Sequence, residues 1–101
     1  MSNEIFEIGK NYLIRTVTFA YTGKLTKQDN EFLVLEKAAW IADTGGFYDA
    51  LKNGSLGEIE PYIADVIIAK GAIVDATIWG HKLPDTQKNN RDIAISGVWG
   101  F

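Results

Sequence analysis

Few side chains in this sequence can do chemistry, and their spacing favours binding over catalysis. His81 is the only histidine. Acid–base or nucleophilic work would need a carboxylate or nucleophile held beside it, and its neighbours in sequence offer none. Asp43, Asp49, Glu58 and Glu60 lack the spacing of a paired-carboxylate hydrolase and read as solvated faces. No glycine-rich phosphate loop ending in Gly-Lys-Ser/Thr is present, and no His-Glu-x-x-His pair. Cysteine is absent, which excludes a disulfide framework and a Cys-based zinc site. The sequence therefore predicts a protein that is not an enzyme and holds no cofactor or metal.

A second group of residues suits recognition. Asp29 and Asn30 can hydrogen-bond the edge of a nucleic-acid base, or they can bond their own backbone in a turn. Phe32 can stack on a base, a contact contributing ~1–3 kcal/mol, or it can pack as a core residue. Strand alternation sets it opposite Leu33 and Leu35. Lys70-Gly71 can clamp a phosphate or base, or form a plain turn; a turn accounts for Gly71 but not for Lys70. Trp40, Trp79 and Trp99 suit a core or a subunit contact, and aromatic residues are enriched in both.

These residues need a scaffold, and composition bounds it. A length of 101 residues predicts one domain, residues 1–101, with a core at about 10–80 and a C-terminal extension at 81–101. Apolar residues make up 47% of the chain, enough for a globular core. The formal net charge of -3 excludes nonspecific coating of nucleic acid, so any such binding needs a local site. No apolar run is long enough to cross a bilayer, and Glu4 and Glu7 near the start do not fit a secretory signal. The expected partners exclude membrane, and the expected compartment is the cytoplasm.

The elements follow from periodicity. Tyr12 to Lys27 alternates as half-buried strand, with Gly23 marking a bend or bulge. Gln28-Asp29-Asn30 is a turn leading into a strand over Glu31 to Asp43. Between Thr44 and Pro61 the sequence predicts a short helix over Phe47 to Lys52, capped by Thr44 and stopped at Asn53-Gly54, with Phe47, Ala50 and Leu51 on one face. Ile63 to Trp79 is strand again, broken at Lys70-Gly71. Asn3 to Ile8 is expected to form a helical turn ended by Gly9. Asp85 to Asp92 reads as loop, and Ile93 to Phe101 as a strand that pairs with an edge of its own subunit or a neighbour's. Five or six short strands with tight connections argue for a small barrel or sandwich.

Two segments then carry a family likeness. Tyr21-Thr22-Gly23-Lys24-Leu25, Asp29 and Phe32-Leu33-Val34-Leu35-Glu36-Lys37-Ala38 resemble the first motif of Sm-like (LSm/Hfq-type) proteins. Ile68-Ala69-Lys70-Gly71-Ala72-Ile73-Val74 is similar to their second. The likeness spans about Tyr12 to Ile78. It implies a mostly β fold: a small, bent, five-stranded antiparallel Sm-like barrel, here with a short helix inserted between strands 3 and 4 and a C-terminal extension. It also implies a homo-oligomeric ring, pentamer to heptamer, joined through edge strands.

The resemblance further implies pore-side loops that hold bases of single-stranded RNA. Asp29 fits the family's orienting Asp, and Lys70 and Gly71 fit its Arg-Gly pair. The loop is one residue shorter here, so Phe32 stands where the family's base-reading Asn would be, with Asn30 nearby. Lys70 in place of Arg lacks the planar fork that bonds bidentately. The functional expectation is a ring that binds short U- or A-rich RNA through Asp29, Asn30, Phe32, Lys70 and Gly71. The alternative is a structural ring that has lost RNA binding.

Overall fold

Alternation over the first forty residues produces three antiparallel strands. In the computed structural model, which describes residues 5–89, these are β1 (Asn11–Thr16), β2 (Ala20–Gln28) and β3 (Phe32–Asp43). There follow helix α1 (Phe47–Asn53), β4 (Glu58–Pro61), β5 (Val66–Ala69), a 3-10 turn at Lys70–Ala72 and β6 (Ile73–Ile78). The sheet order is β4-β3-β2-β1-β6, and β5 also pairs with β3. The expected mostly β, bent antiparallel sheet with a helix between its third and fourth strands is what the chain forms.

Six strand segments occupy five lanes. β4 pairs with the far half of β3 (Ala39↔Pro61) and β5 with its near half (Leu35↔Val66). The fourth lane is thus one strand interrupted at Tyr62 to Asp65. The interruption faces a bulge in β3 at Lys37, whose φ is +50°. That bulge in turn faces Gly23, where the β2–β3 register shifts between Thr22 and Lys24. A bulge adds local twist and bends its strand.

The bend curls the sheet on itself. The nine residues of β2, laid flat, would separate their flanking loops by about 30 Å at roughly 3.3 Å per residue. Yet both loops touch the Lys70–Ala72 turn. Lys70 N–H donates to Glu31 C=O at 2.8 Å, and Val17 N–H donates to Ala72 C=O at 3.1 Å. Two 3.8 Å Cα steps cover Lys70 to Ala72, so Glu31 and Val17 come within roughly 17 Å of each other.

Burial follows the curl. Tyr12, Ile14, Leu25, Leu33, Leu35, Ala38 and Ile68 fill the inside. Leu13, on the other face of β1, joins Ala39, Ile41, Ala50, Leu56 and Trp79 in a second core under α1. The bulge is why even-numbered Ala38 joins Leu33 and Leu35 in the first core while odd-numbered Ala39 and Ile41 turn to the second. Leu83 packs on the second core, so the C-terminal extension helps close it.

Several local expectations are corrected. Thr44 does not cap the helix. Asp43 Oδ1 accepts the Gly45 N–H at 2.8 Å, Gly45 turns at φ +77°, and Gly46 is the N-cap with no side-chain bond. On the expected helix face Ala50 is buried and Leu51 partly so, but Phe47 is exposed. Gly54 ends the helix at φ +75°, as expected. Glu58 and Glu60 lie on β4, an element short enough to escape periodicity, and both are half-buried. The third strand stretch begins at Val66, not Ile63. Ile5 to Gly9 forms bends and a turn without a helix, ending in Gly9 at φ +92°. Ile93 to Phe101 lies outside the described residues. No described helix is long and apolar enough to cross a membrane.

Candidate nucleic-acid interface

The β2–β3 turn is built by Asp29. Its Oδ1 accepts the N–H groups of Glu31 at 2.7 Å and Phe32 at 2.8 Å, and its own N–H donates to Phe32 C=O at 3.0 Å. An ionised carboxylate is the better acceptor, so these bonds hold the Asp29 carboxyl below its ordinary range. The positive charge of Lys70 acts in the same direction. The turn role of Asp29 is therefore realised in the structure. Asn30 stands exposed at the tip of the same turn.

Phe32 opens β3 on the face away from the core. Leu33 and Leu35, on the opposite face, are completely buried, whereas Phe32 is 43% exposed. A core role for Phe32 is thus excluded. Its register partner is Ala69, whose side chain is small and exposed.

Lys70 N–H is bonded to Glu31 C=O, which locks the second candidate loop onto the first. Gly71 sits exposed beside it. The expectation that a turn explains Gly71 is corrected. Its φ lies outside the left-handed region, and a Cβ there would meet nothing within 4 Å. Neither strain nor crowding within the chain requires glycine at this position.

All five expected residues thus converge at one end of the curled sheet, from two segments some forty residues apart. Chemically they offer a flat apolar ring, an amide, one cation and a carboxylate already engaged with backbone. One lysine stands against two carboxylates, Asp29 and the exposed Glu31 of the same turn, so the site carries no excess positive charge to draw a polyanion from a distance. Ala69 and the Glu31 carbonyl were not legible beforehand, because their roles arise only from the β3–β5 pairing.

His81 takes a structural place. Its Nε2 is 2.8 Å from the Leu51 carbonyl, so it donates there at the C-terminal end of α1. Its ring stands edge-on to Trp79 at 5.1 Å. The Trp79 Nε1–H donates to Lys82 C=O at 3.1 Å.

Fold and site define a small curled-sheet domain with an exposed aromatic, amide and cationic cluster on two joined loops. No protein-family model, curated protein or solved structure matches this chain.

Proposed function

We propose that this chain is a ring-forming Sm-like protein that binds short single-stranded RNA, U- or A-rich, in shallow pockets around Phe32. The carrying observation is the bond from Lys70 N–H to Glu31 C=O, which places Asp29, Asn30 and Phe32 beside Lys70-Gly71. Base stacking on Phe32 would supply the main affinity, and Asn30 and Lys70 would add polar contacts. A single such pocket is weak; a ring that repeats it gains avidity along one strand.

Two open edges support the ring. Among the described residues β5 pairs only with β3, and β6 only with β1. These segments carry exposed Ile67 (67%), Val74 (60%) and Ile78 (52%). Unpaired apolar edges are covered in native proteins, and pairing between copies is one solution. We propose β5 of one copy against β6 of the next.

A second reading keeps the ring without RNA recognition. It is favoured by the engagement of Asp29 Oδ1 with its own turn and by the single lysine of the site. Native mass measured with and without labelled oligo-U and oligo-A separates the two. An oligomer that binds an oligonucleotide supports the first. An oligomer that binds neither supports the second, and a folded monomer at working concentration removes both.

A further inference from the structure

Glu31 ties the two candidate loops together through its backbone alone. Its N–H donates to Asp29 Oδ1 at 2.7 Å, and its C=O accepts the Lys70 N–H at 2.8 Å. The backbone is thus fixed on both sides, between exposed Asn30 and exposed Phe32. Neither bond uses the carboxylate. Glu31 is itself exposed and forms no ion pair among the described residues. Asp29 differs: its Oδ1 is occupied by two backbone N–H groups, and the charge of Lys70 acts on it. The acceptor that the loops hold in place without consuming is the Glu31 carboxylate.

We infer that Glu31 sets base selectivity at this site, favouring bases with an exocyclic amino group over uracil, so that of the two RNA classes proposed above the site takes the A-rich one. This rests on the RNA-binding reading and deepens it. An ionised carboxylate only accepts hydrogen bonds. Adenine offers its N6 amino group, with two hydrogens. One suits Glu31, as carboxylates accept from the amino group of cytosine. The other suits the Asn30 amide oxygen while the amide N–H donates to a ring nitrogen, the bidentate pairing of asparagine with adenine.

Uracil presents two carbonyl oxygens flanking a single N3–H. Bonding that N–H brings the carboxylate against a carbonyl oxygen, acceptor against acceptor, which leaves polar groups unpaired. Cytosine and guanine carry an amino group as adenine does, so the exclusion falls on uracil. Stacking on Phe32 does not make this distinction, since every base has a π-face.

Fluorescence anisotropy on the full-length protein, at one salt concentration, tests the inference with labelled oligo-A, oligo-U and an oligomer of purine riboside, which is adenosine without its amino group. Oligo-A should bind about tenfold more tightly than either of the others, the change expected for one hydrogen bond to a charged group. Glu31→Gln keeps the backbone bonds and can donate to a uracil oxygen. It should shrink the preference for oligo-A over oligo-U several-fold with an unchanged thermal midpoint. Equal binding of oligo-A and oligo-U, a preference for oligo-U, or a preference unmoved by Glu31→Gln would overturn the inference and leave RNA binding standing. Purine riboside binding as tightly as oligo-A would assign the preference to stacking and overturn it too. Binding of none of the three would remove the RNA-binding reading itself, and the selectivity with it.

Discussion

Gly23 packs face to face with Leu35: a Cβ added at Gly23 would fall 2.9 Å from the Leu35 Cβ and 3.3 Å from the Ala38 Cα. Neither neighbour can yield, because Leu35 is fully buried and the Ala38 contact is backbone. The absent side chain is therefore what lets β2 and β3 close at the bend. Gly23→Ala should destabilise the fold by about 2 kcal/mol, in the range for overpacked cores, read as a lower urea midpoint.

Gly71→Ala provides the contrast. A methyl group there has open space and an ordinary backbone conformation. Stability should change by less than about 0.5 kcal/mol, as for a surface substitution. If Gly71 leaves room for a bound nucleotide, oligonucleotide affinity should fall in titrations of the same variant. Unchanged affinity would remove Gly71 from the proposed site.

Phe32 and Leu33 separate binding from folding at adjacent positions. Phe32→Ala should weaken oligonucleotide binding about tenfold, the loss of roughly 1.4 kcal/mol of stacking, with the thermal midpoint nearly unchanged. Leu33→Ala empties a fully buried site and should cost about 2–5 kcal/mol of stability. Fluorescence anisotropy and thermal melts on both variants check the pair.

Ile67→Lys places a charge on the exposed side of β5, where the proposed neighbour would pair. Desolvating an unpaired lysine opposes association. Native mass should drop toward that of a single chain while the circular dichroism spectrum is kept. An unchanged assembly would show that β5 is not the contact.

Arg15 and Asp75 face each other across β1 and β6, with Arg15 Nε donating to Asp75 Oδ1 at 2.7 Å and Nη2 to Oδ2. Hydrogen bonding by the Arg15 guanidinium, then its charge, lowers the Asp75 carboxyl below 3.8. A lowered carboxyl stabilises the fold above its ordinary value and loses that contribution as pH falls through the folded-state value. Asp75→Asn should therefore lower the thermal midpoint at neutral pH, with the difference from the unaltered protein fading below about pH 3.8. Both groups are exposed, so high salt should shrink the difference as well.

Local chemistry was legible from residue order. Asp29 two and three residues before its N–H partners is an Asx turn written in sequence. Gly23 within an alternating strand marked the bend, and Asn53-Gly54 marked the helix stop. Where the sequence misled, a competing local bond decided: Asp43, not Thr44, organises the entry to α1. Glu58–Pro61 was missed because four residues show no period, and the strand exists only through its pairing with β3.

The sequence alone determined the alternating strands, the bend and the turn, since each depends on side chains a few positions apart. Only the tertiary structure decided that Lys70 meets Glu31, that Phe32 faces solvent beside Ala69, and that Trp40 is half-buried with the Phe19 ring edge-on to it instead of in either core. Those facts depend on which strands pair and in what register. Register is fixed by closure of the whole sheet, with a one-residue bulge at Lys37 redirecting every side chain beyond it.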